Sequence, residues 1–125
     1  DKLDDWGKKR ESNYNQYQDL IENKYWKPKS YVDSFTSNFA YPVISPDRDE
    51  IVKKLQENKV EVRPMICGSM GTQPFYVKHY GKLKLPNVSV IDKYGFYVPN
   101  NPKLSSDEIL FISKIINEGI TEWSI

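Results

Sequence analysis

Cysteine and histidine are nearly missing from these 125 residues: Cys67 and His79 are the only ones. A single cysteine excludes an internal disulfide and a structural zinc cluster built on thiolates, and the pair falls short of the convergent ligand set a metal site needs. No apolar run approaches the about 18 residues of a membrane-spanning helix, and mean hydropathy is -0.68. Charge of one sign is scarce too, because 18 Lys and Arg against 17 Asp and Glu leave a net charge of +1. A sequence-independent hold on nucleic acid or on an anionic membrane has little to drive it, so neither is expected as a partner. Residues 1–20 are charged and polar without an apolar h-region, which is not how a signal peptide reads. The expectation is one soluble domain over 1–125 in a reducing, cytoplasmic compartment.

What the chain does have is aromatic side chain: 3 Trp, 9 Tyr and 5 Phe, far more than a solvated disordered chain carries. It opens on Asp1 and runs straight into a helical pattern, so it reads as a segment of something longer. Residues 2–24 repeat Leu3, Trp6, Tyr14, Tyr17, Leu20 and Ile21 at three- and four-residue steps, which predicts an amphipathic helix. Residues 25–36 read as a loop. A strand over 37–44 follows, with Phe39 and Tyr41 on one face and Pro42 demanding an edge position or a strand end. Ser45 or Asp47 caps a helix buried through Ile51, Val52 and Leu55, and Asn58 suits the left-handed residue that ends it. A second strand is predicted over 60–65, then a glycine-bearing loop over 66–74, an aromatic helical turn closed by Gly81, and a short helix opened by Pro86. Phe96–Val98 is a third strand. Ser105 and Glu108 form a capping box ahead of Ile109, Leu110, Ile112, Ile115 and Ile116. The order predicts an α+β fold: a small sheet of about three short strands with helices mainly on one face, preceded by a long helix.

Candidate chemistry is sparse. A Cys67/His79 nucleophile–base pair lacks an orienting third group, so a small apolar cysteine and a surface histidine remain the plainer interpretation. Gly68 to Thr72 lacks the Gly-Lys-Ser/Thr ending of a phosphate-binding loop. Tyr25, Trp26 and Tyr31 are suited to stacking on a base or sugar, or to covering a seam with a neighbouring domain. Arg63 lies on the polar face of its strand, with Pro64 stiffening the exit into the glycine loop. From the residues alone, an ordinary ion pair with Glu61 or a helix carboxylate outweighs a site role for it.

Several short stretches, in order, resemble one family. Val60-Glu61-Val62-Arg63-Pro64, Gly68, Gln73-Pro74, Leu85-Pro86-Asn87 and Gly95 through Pro102, followed by the helix opening at Ser105, resemble the C-terminal domain of the DegT/StrS sugar aminotransferases. Ser37 through Val43 resembles that family's aromatic-rich strand, and the opening helix its connector between a large cofactor domain and a small one. The resemblance implies a connector over 1–25 and a small-domain core over 37–118, cut from a fold-type I enzyme. Such an enzyme uses pyridoxal or pyridoxamine phosphate on nucleotide-linked 4-keto-6-deoxy sugars, with lipopolysaccharide biosynthesis as one setting. It implies a homodimer whose cofactor site lies in the missing N-terminal domain, so this chain alone is expected to hold no cofactor and to be inactive. The motif matches carried over as substrate-binding candidates are Arg63, Gly68, Gln73 and Pro74, with Asn100 and Asn101 holding a nearby turn. With the resemblance included, the balance for Arg63 turns toward a site role.

The chain also departs from the pattern. Family members often carry Gly where Lys59 stands and Asn where Ser69 stands. Many aminotransferase members place His or Tyr shortly after the arginine, where this chain has Met65, Ile66 and Cys67. The stretch from Gly68 to Pro74 is closer to the 3-dehydratase branch. A free-standing, non-catalytic binding module derived from the same domain is the alternative: an apolar patch where a large domain sat favours the enzyme piece, and a charged surface favours the module.

Overall fold

Ser105 Oγ accepts the Glu108 backbone N–H at 3.2 Å while the Glu108 carboxylate accepts that of Ser105 at 2.8 Å. This reciprocal cap starts α5 (Ser106–Asn117), which buries Ile109, Ile112, Ile115 and Ile116. The computed structural model describes residues 1–29, 31, 33–66 and 68–121. Before α5 come α1 (Lys2–Leu20), β1 (Ala40–Ile44), α2 (Arg48–Glu57), β2 (Arg63–Pro64), a 3₁₀ turn (Met70–Thr72), α3 (Pro74–Tyr80), α4 (Pro86–Tyr94) and β3 (Gly95–Pro99).

The three strands form an antiparallel sheet in the order β1-β3-β2. β1 is an edge strand, so Pro42 sits where its missing N–H costs no ladder bond. Side chains alternate across a strand, and the register pairs Tyr41 with Val98, Val43 with Phe96, and Tyr97 with both Pro42 and Arg63. Tyr41, Val43, Phe96 and Val98 therefore share one face. There they join a core with Tyr14 and Tyr17 of α1, Ile51 and Leu55 of α2, and the isoleucines of α5. The Tyr17 and Tyr41 rings stack at 5.0 Å. Complete burial of a side chain of this size contributes about 1.5–3 kcal/mol. The expected α+β layout, with helices on one face, is what the chain adopts.

Several local expectations are corrected. α1 ends at Leu20 because Ile21 turns extended (φ −75°, ψ 131°), and Leu3 and Trp6 are exposed at 71% and 45% rather than continuing the buried stripe. Phe39 precedes β1 and meets Tyr97 edge-on at 5.6 Å, so it lies on the face opposite Tyr41. Tyr25 belongs to the core, donating to the Ile116 carbonyl at 2.6 Å. The residue with left-handed backbone after α2 is Lys59 (φ 61°), not Asn58 (φ −90°). Lys59 and Val60 close the helix with N–H bonds to Gln56 and Leu55, both 2.9 Å. That turn delays the second strand, and Pro64 contributes no N–H, so β2 is two residues rather than six.

A lysine held at φ 61° carries a Cβ penalty that glycine lacks. Lys59→Gly is expected to stabilise the chain by about 0.5–1 kcal/mol, read from urea unfolding; an unchanged or lower unfolding free energy contradicts the assignment. Burial raises the phenol of Tyr25 to about 12, and it also raises Tyr17 and Tyr41. An unfolded tyrosine ionises near pH 10, so above that pH the unfolded chain binds fewer protons than the folded one. The stabilisation is complete below about pH 10 and is lost as pH rises toward 12. Phenolate absorbance should show Tyr17, Tyr25 and Tyr41 ionising only well above pH 10; their ionisation near pH 10 with the fold intact is the contrary result.

Candidate functional site

The helices α1, α2 and α5 cover one face of the sheet and leave the other open. On the open face, β3 presents Tyr97, β1 presents Pro42, and β2 presents Arg63 directly opposite Tyr97. Phe39 stands against Tyr97, and both residues line two open cavities, of about 290 and 390 Å³. The smaller is bordered by Glu61, Arg63 and Asn101, the larger by Asn38, Met65 and Ile66.

Arg63 reaches this face because Pro64 ends the strand immediately after it and fixes the direction of the chain. Its Nε and Nη2 donate to one oxygen, Oε1 of Glu61, at 2.8 and 2.6 Å. These bonds hold the guanidinium above its ordinary pKa, with the Glu61 charge adding to them. Both side chains stay open to solvent, 65% and 68% exposed. The ion pair that the sequence suggested is therefore present, on the face where a ligand has access.

Gly68, Gln73 and Pro74 are not beside Arg63 in either cavity; they build the adjoining lobe. Gly68 takes a positive φ of 52°, donates its N–H to Met65 O at 3.2 Å, and lies so close to Asp92 that a side chain meets its carboxylate. Gln73 closes the 3₁₀ turn with its N–H on Met70 O at 3.1 Å and starts α3 with its carbonyl on Val77 N at 3.0 Å. Pro74 takes the first helical position, where a missing N–H is harmless. Asn100 is fully buried, and its Nδ2 donates to Arg10 O and Asn38 O at 3.0 and 2.8 Å; Asn101 O accepts from Asn13 Nδ2 at 3.0 Å. The turn is thus held as expected, with a grip on α1 that spacing alone did not reveal.

Trp26 and Tyr31 are exposed, at 43% and 76%, while Tyr25 is withdrawn into the core. His79 is on the exposed surface of α3; Cys67 lies outside the described residues, so the Cys/His pair has no described geometry. Among the described residues no group of three His, Cys, Asp or Glu is placed to hold a metal ion, and no helix is long and apolar enough to cross a membrane. A Schiff-base lysine is activated by desolvation. Among the described residues no lysine is buried, and the half-buried Lys24 and Lys27 donate to the Asn117 and Gln18 carbonyls. These residues do not fit a covalent anchor for pyridoxal phosphate.

Tyr97 and Phe39 beside Arg63 were not singled out as site residues from the sequence, and Glu61 was weighed only as an ion-pair partner. The alternation through Phe96, Tyr97 and Val98 held the signal for Tyr97, once β3 is recognised as the central strand. Charge spacing held another signal: residues 62–91 contain Arg63, Lys78, Lys82 and Lys84 and no Asp or Glu.

A sequence profile of the DegT/DnrJ/EryC1/StrS aminotransferase family matches residues 1–117. The chain belongs to this family. No curated protein matches the sequence. Solved structures similar to this DegT-family chain include the sugar aminotransferase CalS13 from Micromonospora echinospora, with TM-score 0.81 and 13% identity over 94% of this chain and 32% of that one. The E. coli GDP-4-keto-6-deoxy-D-mannose-3-dehydratase, solved with bound hydrated pyridoxal phosphate, gives TM-score 0.76 and 22% identity over 91% and 31%. A family aminotransferase from Brucella abortus gives 0.78 and 20% over 93% and 32%. The chain spans about a third of the length of each.

The left-handed backbone of Gly68 gives it a role that can be tested. If its role is to make the turn, Gly68→Ala costs about 1–2 kcal/mol from the left-handed backbone, with Asp92 swinging away from the new methyl. Unfolding by urea reads that cost; a loss below about 0.3 kcal/mol contradicts the turn-forming role.

Proposed function

We propose that this chain is the small C-terminal domain of a longer pyridoxal- or pyridoxamine-phosphate enzyme acting on a nucleotide-linked 4-keto-6-deoxy sugar, and that it is inactive alone. In this reading α1 lies in the connector over 1–25 and the core runs over 37–118. The cofactor is anchored in the missing N-terminal domain, and the full enzyme is a cytoplasmic homodimer. The cofactor supplies the electron sink; the residues of this chain bind and orient.

The observation that carries this reading is the one-sided sheet. A DegT-family domain with three helices on one face leaves Arg63, Tyr97 and Phe39 on the other, where a planar, permanently charged guanidinium suits phosphate or carboxylate oxygens. Arg63 is the substrate-binding residue of the proposal, while Gly68, Gln73 and Pro74 contribute by shaping the loop that follows it. The surface supports the enzyme piece over the free-standing module. Ile66, Phe75, Tyr80, Leu83 and Leu85 are 43% to 77% exposed within one acid-free stretch, an apolar surface suited to a domain neighbour rather than one covered with charge. The Gly68 to Pro74 stretch favours removal of the sugar 3-hydroxyl over transamination, and structures of both kinds share the fold.

The test joins two measurements. Stoichiometric pyridoxal phosphate added to the isolated chain should give no saturable imine absorbance. The reading frame upstream of the Asp1 codon should stay open for roughly twice the length of this chain, as a 32% share of the similar structures requires. A saturable imine on the isolated chain, or a stop codon and ribosome site just upstream of Asp1, overturns the proposal.

A further inference from the structure

We propose that Glu61 is the positioning residue of the open face: it holds Arg63 by the side edge of the guanidinium, so that the end edge is presented to a paired-oxygen anion. This rests on the reading of that face as the substrate side.

The argument is one of donor accounting. A guanidinium has five N–H groups, one on Nε and two on each Nη, arranged as a side edge (Nε with Nη2) and an end edge (Nη1 with Nη2). Glu61 Oε1 takes the Nε and Nη2 donors of the side edge. Three donors remain, including the two parallel N–H bonds of the end edge, which is the fork that matches a phosphate or carboxylate. Had Glu61 bound end-on through both oxygens, it would occupy that fork. It uses one oxygen, from the side.

The surroundings fit that role. Glu61 and Arg63 border the same cavity as Tyr97, and Arg63 lies directly across the sheet from Tyr97 in register. Tyr97 carries the Phe39 ring edge-on, so the fork stands beside an aromatic floor. An ion pair this exposed adds little to stability, which leaves orientation as its contribution. A free arginine on a two-residue strand samples many rotamers, and anchoring it beforehand removes part of the ordering cost of binding.

The ligand chemistry is a tetrahedral or planar group with two adjacent anionic oxygens. In the proposed enzyme two sources supply it: the diphosphate of the nucleotide sugar and the carboxylate of an amino donor. Inorganic pyrophosphate and L-glutamate are the probes that separate them.

The experiment measures the affinity of the full-length protein for each probe by calorimetry at fixed ionic strength. The variants are Glu61→Gln, Glu61→Ala and Arg63→Lys, each first shown to keep the parent thermal midpoint. Glutamine keeps the acceptor oxygen and drops the charge; alanine drops both. If Glu61 positions Arg63, Glu61→Gln binds at least as tightly as the parent, whereas Glu61→Ala binds about 5-fold more weakly. Arg63→Lys, which has no fork, weakens binding about 10-fold. The probe whose affinity follows this order names the source. If alanine tightens binding as much as glutamine does, Glu61 only repels the anion and the inference is overturned, as it is if neither Glu61 change matters. If Arg63→Lys leaves both affinities unchanged, the reading of the open face itself fails.

Discussion

The attachment of α1 to the turn after β3 is the constraint on which the rest of this structure depends. Tyr17 OH donates to Pro99 O at 3.0 Å, Asn13 Nδ2 to Asn101 O at 3.0 Å, and Asn100 Nδ2 to Arg10 O at 3.0 Å. The second hydrogen of the Asn100 amide goes to Asn38 O, just ahead of β1. One buried asparagine thereby ties the N-terminal helix, the approach to the edge strand and the end of the central strand together. Apolar burial supplies most of the driving force but has no direction. Hydrogen bonds to buried backbone carbonyls do have direction, and leaving such groups unpaired costs about 1–3 kcal/mol each. They fix which face of the sheet α1 covers.

The open face follows from that choice. With α1, α2 and α5 all packed on the Tyr41–Val98 side, Tyr97 and Arg63 lie on the opposite face, where among the described residues they border an open cavity. Polar groups divide accordingly. Asn13, Tyr17 and Asn100 are buried and serve the fold, while Glu61 and Arg63 are exposed and add little to it. The stretch that follows β2 borders the larger cavity of the open face through Met65 and Ile66. Pro74 and Pro86 start its helices, Gly81 ends the first of them at φ 78°, and its apolar side chains remain outside the core.

Sequence reasoning succeeded where a local rule decides the outcome. The Ser105–Glu108 box, Pro42 on an edge strand, the Gly81 end of α3 and the Pro86 start of α4 each depend on only a few neighbouring residues. It failed where partners are distant in the chain. Asn13 and Asn100 look like ordinary polar residues until their partners, 88 and 90 positions away, are known. Tyr25 reads as a loop aromatic, yet its hydroxyl finds Ile116 across 91 positions. Phe39 was assigned to the wrong face because period-2 counting ran through a residue that precedes the strand. On the open face, the ion pair of Arg63 with Glu61 was one of the options legible in the sequence, but not the edge of the guanidinium through which it forms. The left-handed backbone at Lys59, which a glycine takes without strain, is exposed only by the dihedral.

The most direct test of the account is a crystal structure of the proposed longer protein with the proposed nucleotide-sugar substrate bound. The account predicts that Arg63 Nη1 and Nη2 lie within hydrogen-bond distance of paired anionic oxygens in the active-site cleft, with Tyr97 and Phe39 lining the same cleft. A structure in which another element of the protein covers the open face, with the ligand bound away from Arg63, contradicts it.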